Sequence, residues 1–345
     1  MSEQVRMALA TVVDGATLSR EQAHAAMGAV MDGEATPAQL AALLVALRMR
    51  GETVEELAGF ATAMRERVRH VDAPPGTIDT CGTGGDGRGT FNISTAAALV
   101  TAAAGVPVAK HGNRAITSKS GSLDVLEALG VPVDLDPEQA ARALREDGFA
   151  FLAAPAYHPA MRHAGPTRKE IGIRTAFNLL GPLANPAGAR RQVLGVADPV
   201  AAHRLAEVLR ALGTEYAFVV HGDRVDELPL DGSGVAYEVA PGGVVRRDVL
   251  PEDVGLRRAE TDELRGGTAG DNALRMEALF AGEAGPVRDA VLLNAGAALL
   301  VAGRTGDLRD GVELAAATID RGASLALLDR LRSRRPEPAA AGGAR

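Results

Sequence analysis

Apolar residues recur every three or four positions through the first 70 residues, a spacing that places them on one face of a helix. This spacing predicts helices over 21–31, 36–49 and 54–68. The residues at the ends of the second predicted helix support this prediction, because Thr36 followed by Pro37 is typical of a helix start and Gly51 is typical of a helix end. The chain therefore begins with a small helical unit.

After residue 76 the pattern changes, and short apolar runs alternate with helical segments. The runs predict five strands, at 77–80, 106–110, 149–153, 192–196 and 216–221. The last third returns to helices, at 272–280, 287–301, 308–320 and 323–332. Alternation of this kind predicts an α/β protein whose sheet is mostly parallel and flanked by helices.

This organisation predicts two domains and a tail. We expect an all-helical domain over 1–72, a larger α/β domain over 73–333 and a disordered tail over 334–345. Residues of about 160–190, rich in Pro, His and basic side chains, fall between the strand patterns. We expect part of this segment to pack back onto the helical domain.

Composition narrows the class of protein. A single cysteine excludes an intramolecular disulfide and a cysteine-rich zinc site. The sequence shows no signal-peptide pattern and no apolar stretch that could span a bilayer, which predicts a cytoplasmic protein without a membrane partner. A formal net charge of -7 and the absence of tryptophan argue against a nucleic-acid partner.

A glycine-rich loop follows the first predicted strand. It holds five glycines, at Gly82, Gly84, Gly85, Gly87 and Gly89. Such a loop lets backbone N–H groups converge on phosphate oxygens, which favours phosphate binding over a plain glycine turn. The string also matches the GxGxxG pattern of dinucleotide sites, but the acid that such sites need about 20 residues later is missing, since no acid occurs from Gly87 to Leu123.

That acid-free run carries most of the candidate binding chemistry. Its cations are Arg88, Lys110, His111, Arg114 and Lys119. Asn92, Ser94 and Thr95 stand where a helix should begin, and helix capping accounts for only one of the three. A second loop, KHGNRAITSKSGSLD, follows the next strand, so the two loops should share one crevice at the end of a parallel sheet.

Two further groups of side chains are candidates for small-ligand chemistry. One of Arg162, His163, Arg168 and Lys169 could clamp a carboxylate, although solvated surface residues look the same in sequence. Asp226 and Glu227 follow a predicted strand. Near a diphosphate such a pair could hold Mg²⁺, which typically joins one or two carboxylates to phosphate oxygens.

Four strings in this order closely resemble the anthranilate phosphoribosyltransferases of tryptophan biosynthesis: GTGGDGRGTFNIST, KHGNRAITSKSGS, HPAMRHAGPTRKEIGIRTAFNLLGPLANP and VDEL. The likeness covers nearly the whole chain. It implies a homodimer with a small helical domain, an α/β domain of the nucleoside phosphorylase type, and an active site at the hinge between them. Any partner that makes anthranilate would be a separate polypeptide.

The resemblance also implies a role for each matching residue. Phosphoribosyl pyrophosphate would bind Gly82, Gly85, Asp86, Thr90, Asn92, Ile93, Ser94, Thr95, Lys110, His111, Gly112, Asn113, Arg114, Ala115, Ile116, Thr117, Ser118 and Ser122. Anthranilate would bind Gly82, His111, Asn113 and Arg168, and Mg²⁺ would bind Ser94, Asp226 and Glu227. Two departures are that Ile116-Thr117 replaces the more usual Val-Ser and that Pro229 replaces a more frequent Ser.

The implied reaction is transfer of a phosphoribosyl group to the amine of anthranilate, with release of diphosphate. Two alternatives stay open at this point. A pyrimidine nucleoside phosphorylase shares the architecture but attacks the sugar with phosphate, and a non-catalytic relative would bind nucleic acid. The net negative charge and the intact glycine loop argue against the second alternative.

Overall fold

The computed structural model describes residues 1–85, 87–115, 119–223 and 225–334. Its first 65 residues form four helices, α1 Glu3–Val13, α2 Arg20–Met31, α3 Pro37–Arg50 and α4 Val54–Arg65. Ser19, Thr36 and Thr53 start the last three, each with a capping box in which its side chain accepts a backbone N–H of the first turn. The predicted helical unit is confirmed, with the addition of α1.

Seven strands form one sheet: β1 Ile78–Gly82, β2 Val108–Gly112, β3 Phe149–Ala153, β4 Arg191–Gly195, β5 Tyr216–His221, β6 Gly234–Ala240 and β7 Gly243–Val249. Their order is β3-β2-β1-β4-β5-β6-β7. The first five strands are parallel, and β6 and β7 add an antiparallel hairpin to one edge. The predicted, mostly parallel sheet is confirmed, and the hairpin is an addition that the sequence pattern did not indicate.

The remaining helices surround this sheet. They are α5 Ile93–Ala103, α6 Ser122–Ala128, α7 Pro137–Asp147, α8 Ala154–Tyr157, α9 Gly165–Ile171, α10 Phe177–Leu180, α11 Pro199–Ala211, α12 Ala269–Phe280, α13 Pro286–Val301, α14 Leu308–Asp320 and α15 Ala323–Ser333. Short 3-10 helices occur at Pro159–His163, Gly181–Leu183, Pro251–Val254 and Thr261–Leu264. No helix in the described ranges is long and apolar enough to cross a membrane.

Two large apolar clusters cover the two faces of the sheet. On one face, α5 and α13 pack against each other and against β1 and β4. On the other, Leu194 and Val219 share a cluster with α11 and with helices α2 to α4. Because α11 contacts both α4 and β5, the helical unit packs directly against the α/β unit.

The middle segment lies at the junction between the two units. Ala164, Phe177 and Leu180 are buried in the same cluster as the N-terminal helices, and α9 contacts α3 while α10 contacts α4. Arg334, at the start of the predicted tail, pairs with Glu146 and Asp147. Residues 335–345, the rest of that predicted tail, lie outside the described residues.

Candidate active site

Two loops that follow neighbouring strands enclose one cavity at the carboxyl edge of the sheet. The strands β1 and β2 are parallel neighbours, so the glycine loop after β1 and the polar loop after β2 emerge side by side. The cavity has a volume of about 450 Å³, and we call it the loop cavity. Its described lining includes Gly82, Thr83, Gly84, Gly85, Gly89, Thr90, Asn92, Ser94, Thr95, Lys110, His111, Gly112, Asn113, Arg114, Ala115, Ser120, Ser122, Arg174, Asp226 and Glu227.

The glycine loop has a backbone that other residues adopt only with strain. Gly84 and Gly85 have φ of 62° and 72°, so the loop depends on residues without a Cβ. Gly84 donates its N–H to a carboxylate oxygen of Asp226 at 2.8 Å, and Arg174 donates to the Gly84 carbonyl at 2.8 Å. Asp86, a predicted ligand in this loop, lies outside the described residues.

Helix α5 begins at Ile93 and directs its first turn at the loop cavity. Ser94 and Thr95 line the cavity, whereas Ile93 is buried in the apolar core. Asn92 stands at the N-cap but makes no side-chain capping bond. Its amide instead bridges to Ser120 of the second loop, with Nδ2 donating to the Ser120 carbonyl at 3.2 Å.

Lys110 supplies the cation of the loop cavity. Although it is only 2% exposed, its ammonium lines the cavity and donates to the Thr80 carbonyl and to Ser94 Oγ, the latter at 3.3 Å. Burial lowers the pKa of Lys110, and the nearby carboxylates, Asp79 first, oppose that shift. Asp79 is fully buried behind this lysine and accepts the backbone N–H of His111 at 3.2 Å.

The other cations of the acid-free run are mostly occupied by protein carboxylates. Arg114 lines the cavity, but its guanidinium pairs with Asp124 at 2.7 Å and Glu127 at 2.8 Å. Arg88 lies 3.7 Å from a carboxylate oxygen of Asp223, and Lys119 is exposed. Within the described ranges, positive charge at the cavity therefore comes mainly from Lys110 and from Arg174, which also lines it. Ile116, Thr117 and Ser118 lie outside the described residues.

The segment 225–228, which we call the acid loop, borders the cavity beside the glycine loop, because Asp226 accepts the Gly84 N–H. Glu227 accepts the backbone N–H of Ser94 at 3.0 Å. Burial and the adjacent Asp226 carboxylate raise the pKa of Glu227 to about 8. Two crowded carboxylates of this kind favour a bound cation. No group of three or more His, Cys, Asp or Glu side chains among the described residues could hold a metal by itself, so further ligands would have to come from elsewhere.

Space for the acid loop comes from two glycines in register on adjacent strands. Gly82 of β1 pairs with Gly195 of β4. A Cβ on Gly82 would lie 2.5 Å from Asp226 Oδ2, and a Cβ on Gly195 would collide with the backbone carbonyl of Asp226. Neither strand could carry a side chain here without displacing the acids.

A second cavity, of about 550 Å³, adjoins the first at the hinge between the two units. We call it the Arg168 cavity. The two cavities share seven residues: Cys81, Gly82, Thr83, His111, Gly112, Asn113 and Asn178. Further residues of the second cavity come from the middle segment, among them Pro155, His158, Met161, Arg162, Arg168, Phe177 and Pro182.

Of the four predicted carboxylate clamps, Arg168 is the only one that is not exposed. Its guanidinium carbon lies 4.8 Å from the centroid of the Phe177 ring, a cation–π geometry. Burial lowers the pKa of Arg168. Arg162 also lines the cavity but is exposed, and the exposed His163 and Lys169 are not in its lining.

Two buried histidines form part of the wall of this cavity. His111 Nδ1 lies 3.2 Å from the Gly181 carbonyl, which can only accept, so this nitrogen carries the proton. His158 Nε2 lies 3.2 Å from His111 Nε2, so the two rings are in direct contact. Burial lowers the pKa of His111 to about 3 and that of His158 to about 4. Both rings are neutral near pH 7, which leaves the positive charge of the wall on the arginines.

Several residues at these cavities were not among the sequence candidates. Arg174, Asn178, His158, Phe177 and Gly195 all contact the site or shape it. The string HPAMRHAGPTRKEIGIRTAFNLLGPLANP contains four of them, and its density of histidine, asparagine and arginine was a usable signal. Gly195 gave no such signal, because its importance depends on a loop 31 residues away in the chain.

Comparison with known proteins places this architecture in a family. The model of the glycosyl transferase family, helical bundle domain, matches residues 6–68, and that of its a/b domain matches residues 74–325. An anthranilate phosphoribosyltransferase from Azorhizobium caulinodans is 52% identical over 95% of this chain and 96% of its own length. One from Symbiobacterium thermophilum is 55% identical over 94% of this chain and 96% of its own.

Comparison with solved structures points to the same family. The crystal structure of anthranilate phosphoribosyltransferase from Thermus thermophilus has a TM-score of 0.90 at 47% identity and covers 94% of this chain and 98% of its own. The enzyme from Saccharomyces cerevisiae in complex with PRPP and Mg has a TM-score of 0.87 at 26% identity, covering 96% and 98%. The chain therefore belongs to the anthranilate phosphoribosyltransferase family and is a glycosyltransferase.

Proposed function

We propose that the loop cavity binds phosphoribosyl pyrophosphate and that the Arg168 cavity binds anthranilate. The chain then transfers the phosphoribosyl group to the anthranilate amine, giving N-(5-phosphoribosyl)anthranilate and diphosphate. One observation carries this proposal. The two cavities meet at the carboxyl ends of β1 and β2, where one has a phosphate-type lining and the other has a desolvated arginine.

The loop cavity has the donors that a diphosphate needs. The loop backbone at Gly84 and Gly85, the first turn of α5 and the Lys110 ammonium all face one space. The N–H groups of Gly84 and Ser94 already donate to Asp226 and Glu227, so the side-chain donors that line the cavity, Lys110, Ser94 and Thr95 among them, are the ones that would meet the diphosphate. These groups support binding of the diphosphate and stabilisation of the charge that builds on it as it leaves.

Mg²⁺ is the cofactor, and we infer that Ser94, Asp226 and Glu227 hold it. The raised pKa of Glu227 beside Asp226 supports this assignment, because a bound cation would relieve the repulsion between the two carboxylates. Mg²⁺ usually takes only one or two protein carboxylates and completes its shell with phosphate oxygens and water, which fits a site without a third acid among the described residues. When bound, the ion neutralises charge on the diphosphate.

The Arg168 cavity suits a flat aromatic acid. Phe177, Met161 and Pro182 offer apolar surface, and the guanidinium above Phe177 can take the carboxylate in two parallel hydrogen bonds. The neutral histidine pair keeps the rest of the wall uncharged. An anthranilate held this way would present its amine toward Gly82 and Asn113, the residues that border both cavities.

The reaction depends more on aligning the two substrates than on activating the amine nucleophile. The amine nitrogen forms a bond to C1 of the ribose while the bond from C1 to the diphosphate oxygen breaks, and the amine then loses one proton to water. An aromatic amine is already neutral at pH 7, so no nucleophile-activating triad is needed. The protein holds the two reacting atoms in line and stabilises the departing diphosphate.

The activity is tested by mixing the protein with anthranilate, phosphoribosyl pyrophosphate and Mg²⁺ and following anthranilate fluorescence. We expect the fluorescence to fall, and we expect excess EDTA to stop the fall until Mg²⁺ is restored. A parallel reaction with inorganic phosphate and a pyrimidine nucleoside should give no free base. Unchanged fluorescence in the first reaction contradicts the proposed function, and full activity in EDTA contradicts the metal assignment.

We also propose that the chain forms a homodimer through its helical unit. The contacting helices α1 and α3 expose Met7, Val13 and Met49, with exposed fractions of 57%, 68% and 83%. Exposed apolar side chains on adjoining helices favour a protein interface. The cytoplasmic location remains a prediction from the sequence.

Sedimentation equilibrium should give twice the chain mass for the wild-type protein, and Met7→Glu with Met49→Glu should shift it toward the monomer. Leu274→Glu is the control, since Leu274 is 70% exposed on α12, outside the helical unit. A wild-type monomer, or equal dissociation by the control, contradicts the proposed interface.

A further inference from the structure

A buried asparagine of α12 reaches the site from the C-terminal part of the chain. Asn272 is 2% exposed, and its Nδ2 donates to Asn92 Oδ1 at 2.8 Å. Asn92 lies at the end of the glycine loop and lines the loop cavity. Asn272 itself does not line either cavity in the described part of the chain. Asn272 therefore contacts a residue of the cavity wall without lining the cavity.

Asn92 in turn joins the two loops. Its Nδ2 donates to the Ser120 carbonyl at 3.2 Å, and Ser120 Oγ donates to Asn92 Oδ1 at 3.2 Å. Because Oδ1 accepts from both Ser120 and Asn272, the orientation of the Asn92 amide is fixed. One Nδ2 hydrogen is used by Ser120, and the direction of the second is set by the same amide plane. Asn272 thus helps to fix where that donor points.

The segment before α12 anchors the same part of the glycine loop. Asn272 Oδ1 accepts the Gly267 N–H at 2.8 Å, which ties the asparagine to this segment. Gly266 donates to the Gly89 carbonyl at 2.9 Å, and Phe91 donates to the Leu264 carbonyl at 2.8 Å. The end of the glycine loop is therefore held by residues from a distant part of the chain.

We propose that Asn272 is a positioning residue for phosphoribosyl pyrophosphate, acting through Asn92 to hold the glycine loop and the second loop at a fixed separation. The proposal rests on the function proposed above. A phosphorylated sugar that spans both loops needs that separation, and losing Asn272 removes the shorter of the two hydrogen bonds to Asn92 Oδ1 and leaves the amide held by Ser120 alone. A misplacement of about 1 Å in a binding loop is enough for a large loss of activity.

We expect loss of Asn272 to change the KM values for the two substrates by different amounts. Asn272→Ala should raise the KM for phosphoribosyl pyrophosphate about tenfold or more and leave the KM for anthranilate within about twofold, because Arg168 and Phe177, which hold the anthranilate in this proposal, lie on the middle segment and do not line the loop cavity. Thr318→Val is a matched control. Thr318 is a fully buried residue of the neighbouring helix α14 whose hydroxyl donates to the Leu314 carbonyl at 2.7 Å and accepts from Arg321 at 3.4 Å, both within its own turn of chain.

A double-mutant cycle tests the route of the effect. Asn92→Ala, Asn272→Ala and the double variant are compared by their KM for phosphoribosyl pyrophosphate and by its calorimetric binding in Mg²⁺. If Asn272 acts through Asn92, the double variant should resemble Asn92→Ala alone. Should Asn272→Ala not fold, Asn272→Ser, whose hydroxyl is too short to reach Asn92, replaces it in the cycle.

Three results would overturn the inference while the wild-type enzyme is active: additive effects in the cycle, an equal rise in the KM for anthranilate, or the same rise in Thr318→Val. A wild-type chain that consumes no anthranilate overturns the proposed function instead. The two failures are therefore distinguishable in the same set of assays.

Discussion

Replacing Gly195 with alanine should lower the rate of phosphoribosyl transfer by about a hundredfold or more. The new Cβ would collide with the backbone carbonyl of Asp226, which is a fixed atom and not the end of a flexible side chain. Close-packed interiors do not absorb such a collision locally, so the acid loop has to move. Moving Asp226 and Glu227 would displace the Mg²⁺ that we propose they hold, and loss of a group that stabilises the departing diphosphate is typically worth about two to three orders of magnitude in rate.

The measurement is kcat as a function of Mg²⁺ concentration, with the folded state checked by circular dichroism. Gly242→Ala is the control, because Gly242 lies in the β6–β7 turn and a Cβ there would have no atom within 4 Å. We expect Gly242→Ala to behave as wild type. A Gly195→Ala variant with normal kcat and a normal Mg²⁺ requirement would show that the acid loop has another role.

Local signals explain why most elements were predictable. The capping boxes at Thr36 and Thr53 need only a side chain and its neighbour three residues later, so the sequence indicates them directly. Strands β1 to β5 are buried apolar runs between helices. The β6–β7 hairpin was missed because β7 is an edge strand that exposes Arg246 and Arg247, which removes the apolar run that marks a buried strand.

The site was predictable only where the chemistry is local to one stretch of chain. The glycine loop and the second loop were identified from their own composition, and the parallel sheet brings them together. The number of basic residues in the acid-free run was a poorer guide to the positive charge at the cavity. Arg114, for example, pairs with Asp124 and Glu127 on the helix that follows it. Roles that depend on distant contacts, such as Asn272 on Asn92, need the folded chain.

Arg168→Ala should lower kcat/KM for anthranilate by roughly tenfold to a hundredfold, or about 1.5–3 kcal/mol, the range of a hydrogen bond to a charged group. The guanidinium is held over the Phe177 ring at 4.8 Å and partly desolvated, so it is oriented before the substrate arrives. The KM for phosphoribosyl pyrophosphate should change little, because Arg168 lines only the second cavity.

Two comparisons separate a carboxylate clamp from a general loss of structure. Lys169→Ala removes a neighbouring cation of α9 that is not in the lining of the cavity, and it should leave kcat/KM unchanged. Aniline lacks the carboxylate, so the wild type and Arg168→Ala should use it at similar, low rates. If Arg168→Ala discriminates against aniline as strongly as the wild type does, the carboxylate is held by another group, and Arg162 on the same wall becomes the residue to test.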